Sequence, residues 1–80
     1  MTAQTTGEYR VGISFNPGGS ETVNQLKRAA ADFIDMVEAI PVPASSEVQR
    51  LKALAMTHAE DAAMWAVKAA TKPTNGALGP

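Results

Sequence analysis

Residues 21–72 read ETVNQLKRAAADFIDMVEAIPVPASSEVQRLKALAMTHAEDAAMWAVKAATK, and this stretch decides the fold. Its first part places Val23, Leu26, Ala30, Phe33, Val37 and Ile40 at alternating spacings of three and four. That spacing predicts a helix over about 21–40 with one apolar seam, which Ile34 widens. Ser20 suits the N-cap and Glu21 the positive end of the helix. Pro41-Val42-Pro43 stops it. Ser46 to Gln49 then forms a capping box that opens a second helix over about 47–72. The seam of this helix is Val48, Leu51, Ala55, His58, Ala62, Trp65 and Ala69, and Lys68 and Lys72 suit its negative end before Pro73 closes it. Two long helices joined by so tight a loop fold back as an antiparallel hairpin. The expected class is all-α.

Upstream, Tyr9, Val11, Ile13 and Phe15 alternate with Arg10, Gly12 and Ser14. A period of two predicts a short extended N-terminal arm over 9–16. Asn16-Pro17-Gly18-Gly19-Ser20 reads as a turn leading into the first long helix. Residues 1–8 are small and polar and are expected to be disordered, and 74–80 to form a flexible tail. One domain over 9–73 remains.

Composition asks for more than one chain. Of the 80 residues 45% are apolar, but fifteen are alanines that bury a single methyl each. With no Cys and one His, neither a disulfide nor a protein zinc site can brace so small a core. Leu54, Met56, Met64, Val67, Met36 and Ile34 fall partly outside the seams and form second apolar surfaces. A hairpin that self-associates into a homo-oligomeric bundle satisfies both facts. No apolar run approaches the ~20 residues of a membrane span, and no signal peptide is visible. The net charge of −1 disfavours DNA binding while leaving room for a small anionic ligand.

No catalytic set is apparent, so an enzyme is not expected. Glu60 and Asp61 point about 100° apart on a helix and suit salt bridges to Lys27 and Arg28 across the hairpin. His58 reads as a buried or interface histidine, and Trp65 as a core or interface anchor. Lys27-Arg28 sits in the wrong half of its helix for the macrodipole, which weakly points to function. Tyr9, Arg10, Phe15 and Asn16 precede a Gly-Gly turn at a helix start, where backbone N–H groups favour anions. Aromatics there offer base-stacking surfaces.

Arg50-Leu51-Lys52-Ala53-Leu54-Ala55-Met56-Thr57-His58, Met64-Trp65-Ala66-Val67-Lys68-Ala69 and Lys72-Pro73 resemble the second helix of the phage cyclic-nucleotide sponges. These are the anti-CBASS and Thoeris anti-defence proteins that share a helical-hairpin domain. Val23-Asn24-Gln25-Leu26-Lys27 is similar to the start of their first long helix, and Tyr9-Arg10 to their N-terminal Tyr-Arg. The resemblance implies a hexamer of hairpins in the host bacterial cytoplasm. It implies binding, without cleavage, of cyclic di- and trinucleotides or cyclic ADP-ribose isomers, with no cofactor. Tyr9 and Lys27 map onto the residues that hold cyclic dinucleotides at a protomer interface, and Arg50 onto a basic residue used for trinucleotides. The segment between Tyr9 and Lys27 departs from the family: it is longer, and the extended arm replaces a short N-terminal helix. That departure offers Phe15 as the stacking residue in place of Tyr9, with Lys27, Arg10 and Arg28 as cations and Asn16 or Asn24 to read a base edge. The alternative function is a structural or adaptor hairpin that binds a partner protein through its second apolar face.

Overall fold

A computed structural model describes residues 3–42 and 46–72. Three helices follow one another: α1 (Thr6–Val11), α2 (Glu21–Glu38) and α3 (Ser46–Thr71). Among the described residues there is no strand. α2 and α3 form the hairpin, and α1 packs mainly on α2, touching α3 lightly.

The extended arm is corrected to a helix, α1. Thr5 and Glu8 form a reciprocal capping box: the Thr5 hydroxyl accepts from the Glu8 N–H, and the Glu8 carboxylate accepts from the Thr5 N–H. Gly12 ends the helix in the left-handed region (φ 63°), a conformation other residues rarely adopt. A start and a stop only six helical residues apart outweigh the alternation, whose apolar side chains stay largely outside the core. Residues 5–8, expected to be disordered, are the cap and first turn of α1.

Gly7 makes the docking of α1 possible. A Cβ there would lie 2.1 Å from the Ala31 carbonyl oxygen, so only glycine lets the backbones cross this closely. The Gly7 N–H donates to Asp35 Oδ1 at 2.7 Å. Two ion pairs flank the crossing, Arg28–Glu8 at 3.0 Å and Arg10–Glu60 at 2.9 Å. The first joins α1 to α2 and the second joins α1 to α3.

The buried stripe of α2 is Val23, Lys27, Ala31, Ile34 and Val37. Val23 and Val37 belong to the expected seam, but Phe33 (50% exposed) and Ile40 (46%) do not enter the core. α2 has two partners, α3 on one flank and α1 on the other, and its buried face turns to lie between them. Ile34 takes the place expected of Phe33. In α3 only Ala63 is buried; His58 is exposed, as is Trp65 at 62%, so neither is a core residue of this chain. α3 includes Ser46 as its first residue, which moves its cap outside the described residues. Pro43 and Pro73, expected to end helices, lie there too, as does the expected tail 74–80. The C-terminal carbonyls of α2 are capped from the other helix: Lys52 Nζ donates to Glu38 O at 2.9 Å and Ile40 O at 2.5 Å.

Candidate functional site

The Gly12–Ser20 segment between α1 and α2 is shaped by its own polar contacts. Asn16 folds it: its Oδ1 accepts from the Ser20 N–H at 3.2 Å, and its Nδ2 donates to Ser20 O at 2.8 Å. Nδ2 also donates to Asn24 Oδ1 at 2.9 Å, tying the turn to α2. Ser20 caps α2 through its hydroxyl, which accepts from the Val23 N–H at 3.2 Å.

Lys27 reaches up from the buried face of α2 into this segment. It is 7% exposed, and its Nζ donates to Gly12 O at 2.9 Å and to Phe15 O. Gly12 O and Phe15 O belong to the irregular segment after α1, so the ammonium closes it. The same Nζ stands 5.4 Å from the centroid of the Phe15 ring, within cation–π range. Phe15 itself is 71% exposed. A lysine ammonium has three N–H donors, and two are held by carbonyls.

Lys27 lies between two cavities. One, of about 350 Å³, is bounded by Phe15, Asn16, Ser20 and Val23 on one side and by Val67 and Thr71 of α3 on the other. The second, about 200 Å³, holds Arg10, Glu60, Ala63 and Met64. A wider cavity of about 590 Å³ opens beside them along α2, lined by Ile13, Asn24, Arg28 and Asp32. The Asn16–Asn24 hydrogen bond joins the first cavity to the third.

Phe15, Asn16, Asn24 and Lys27 are thus gathered at the start of α2, with Arg10 on the far side of Lys27. Two of the cations are engaged with carboxylates. Arg10 Nε bonds Glu60 and its Nη2 bonds Thr57 Oγ1 at 3.3 Å. Arg28 bridges Glu8 and Asp32, and the hydrogen bonds it donates to these two carboxylates hold its pKa above the ordinary arginine value. The Thr5 N–H, and then Arg28, hold the Glu8 carboxyl below the usual glutamate range. Salt bridges from Glu60 and Asp61 to Lys27 and Arg28 are expected, but Glu60 pairs with Arg10 of docked α1. Two expected site residues stand apart. Tyr9 projects from α1 and is 76% exposed. Arg50 lies near the start of α3 and is held by Glu47 through two contacts of 3.1 and 2.6 Å, which raise its pKa.

Val67 and Thr71 complete the wall opposite Phe15; the sequence reading places Val67 on a second apolar surface and does not single out Thr71. Only their position in the last turn of α3, Thr71 at its end and Val67 one turn earlier, level with the start of α2 in the hairpin, points to them. Among the described residues there is no group of three acidic or His side chains able to hold a metal, and no helix long and apolar enough to cross a membrane.

A protein-family model, the Acb2/Tad1 hairpin domain, matches residues 8–71. No curated protein and no solved structure matches the chain.

Proposed function

The chain belongs to the Acb2/Tad1 hairpin-domain family, the phage cyclic-nucleotide sponges, and from that premise we propose that it sequesters cyclic oligonucleotide immune messengers without cleaving them. Its messengers are cyclic di- or trinucleotides or cyclic ADP-ribose isomers. Their removal silences CBASS or Thoeris signalling in the cytoplasm of the bacterial host.

The observation that carries this reading is the juxtaposition of Lys27 with the exposed Phe15 ring at the mouth of a cavity. A cyclic nucleotide needs a cation for phosphate and a flat face for a base, and stacking contributes roughly 1–3 kcal/mol per base. Phe15 stacks a base, and the third N–H of Lys27 meets phosphate. Asn16 or Asn24 reads a base edge. Arg10 and Arg28 add positive potential from within their ion pairs. Tyr9 and Arg50, away from this cluster, face pockets completed by another protomer.

Size supports a shared site. Ligand pockets typically span about 300–1,000 Å³, and a cavity of about 350 Å³ suits one nucleoside better than a whole cyclic oligonucleotide. Phe33, Met36, Leu51, Leu54, Met64 and Trp65 all stand exposed on the hairpin, an apolar surface for assembling copies of the chain. Six copies is the expected number.

The test is a thermal melt of the protein with each cyclic di- and trinucleotide and each cyclic ADP-ribose isomer, followed by chromatography of what heating releases. A ligand at one hundred times its Kd stabilises by about 2.7 kcal/mol, so Tm rises by roughly 10 °C or more for a chain of this size. The released nucleotide is intact. No rise with any messenger overturns the reading in favour of the adaptor, and a cleaved product overturns it in favour of a nuclease.

A further inference from the structure

The cavity of about 200 Å³ beside Lys27 is lined by three charged side chains and otherwise by apolar ones. Lys27 and Arg10 are its cations and Glu60 its carboxylate; Val11, Ala63, Met64 and Val67 make up the rest of the wall. It is smaller than the roughly 300 Å³ at which ligand pockets typically begin, room for a phosphate group rather than for a base. Lys27 also lines the neighbouring cavity of about 350 Å³, at whose mouth Phe15 stands. Glu60 accepts from Arg10 Nε at 2.9 Å, and Arg10 Nη2 donates to Thr57 Oγ1 at 3.3 Å. A guanidinium has five N–H donors, so Arg10 keeps others for a ligand. Two cations and one carboxylate leave the cavity a formal charge of +1.

Resting on the sponge reading, we infer that Glu60 is a specificity-determining residue: it holds this cavity at the charge that matches the phosphodiester of a cyclic nucleotide and disfavours the terminal phosphate of a linear one. A nucleotide whose base stacks on Phe15 places its phosphate at Lys27, on the boundary of the smaller cavity. A diester carries a single negative charge, which Lys27, Arg10 and Glu60 together balance. A phosphomonoester carries roughly −1.5 to −2 near pH 7. It leaves up to one negative charge uncompensated beside an apolar wall, and a charge taken out of water without a partner is costly. Repulsion by the Glu60 carboxylate also grows in proportion to the charge of the phosphate. Without that carboxylate the cavity stands at +2 and balances the monoester as well.

The experiment is an NMR titration of the full chain with 3′,5′-cyclic AMP and with 5′-AMP, in the wild type and in Glu60→Gln, well above the second phosphate pKa of about 6. The two probes share base and sugar and carry one phosphate each, a diester in the first and a monoester in the second. The variant is close to isosteric, keeps an oxygen to accept from Arg10 Nε and lies at a partly exposed position, so it keeps its fold, and a melt without ligand checks this. The wild type is expected to bind cyclic AMP more tightly than AMP. In Glu60→Gln, AMP should tighten about tenfold and cyclic AMP about threefold, because the repulsion removed doubles with the charge. The ratio of affinities therefore moves about threefold toward the linear nucleotide. A wild-type preference for AMP, or a ratio that stays put or moves the other way in Glu60→Gln, overturns the role of Glu60 and leaves the sponge standing. Binding of neither probe overturns that role too, and the wider messenger panel then judges the sponge reading independently.

Discussion

α2 and α3 are both long amphipathic helices, yet the chain treats them differently. α2 has 18 residues and buries five of them; α3 has 26 and buries one. The difference lies in what each helix meets. α2 is covered by α3 on one flank and by α1 on the other, with Gly7 against Ala31 and Lys27 drawn under the segment that joins α1 to α2. α3 meets α2 along one stripe, and Leu51, Leu54, Met64 and Trp65 remain open. Burial in so small a protein is set by the number of neighbours a helix has, and only secondarily by its own apolar content.

The comparison breaks most directly at Gly7. Gly7→Ala drives a Cβ into the Ala31 carbonyl and lifts α1 from α2. A loss of about 3 kcal/mol is expected, the upper range for overpacking, read as a fall in Tm on the order of 10 °C. An unchanged Tm would mean that α1 contributes nothing to covering α2. Lys27→Met comes next. It takes the ammonium from Phe15 O and from Gly12 O, which keeps only the Phe15 N–H, at a cost of about 2 kcal/mol, and abolishes the messenger-induced rise in Tm. Messenger binding that persisted in this variant would remove Lys27 from the site.

Smaller effects sharpen the picture. The Arg10–Glu60 pair is partly exposed, and Arg10→Ala should cost about 0.5 kcal/mol, less in high salt. Glu8 gives α1 a pH dependence of known sign. Its pKa is lowered in the folded chain, so its contribution is present above the ordinary glutamate value of about 4.3 and lost as pH falls through the folded value. Denaturant melts on an acid titration should show this limb, and Glu8→Gln should flatten it. Trp65→Ala should be the mildest for a dilute single chain, within about 0.5 kcal/mol, because the ring is already largely exposed. Light scattering should nevertheless show the assembly of chains weakened. A large loss of stability at concentrations where the chain is monomeric would show that α3 has a hidden intramolecular partner.

The puzzle of the misplaced cations in α2 is solved by tertiary contacts. Arg28 serves Glu8 of α1 as well as Asp32, and Lys27 closes the segment after α1. The cation missing from the last turn of α2 arrives from α3 as Lys52. Charges that look wrong along one helix are right once its neighbours are in place.

The short first helix is legible in the sequence. Thr5-Thr6-Gly7-Glu8 is a capping-box pattern, and Gly12 a fitting stop, so the short α1 was written in the sequence beneath the more conspicuous alternation. The site was legible in part. Phe15, Asn16, Asn24 and Lys27 are close along the chain and were all candidates. Val67 and Thr71 come from the far end of α3, and no local pattern links them to Phe15.

By itself the sequence determined the two long helices, their reversal and their family. Helical periodicity, caps and proline stops act over a few residues and do not depend on what lies across the fold. Only the tertiary structure decided that Ile34 rather than Phe33 is buried, that a lysine belongs in the core, and that Glu60 pairs with Arg10 rather than with Lys27 or Arg28. Each of these depends on where α1 lands, and one close contact between Gly7 and Ala31 sets that position.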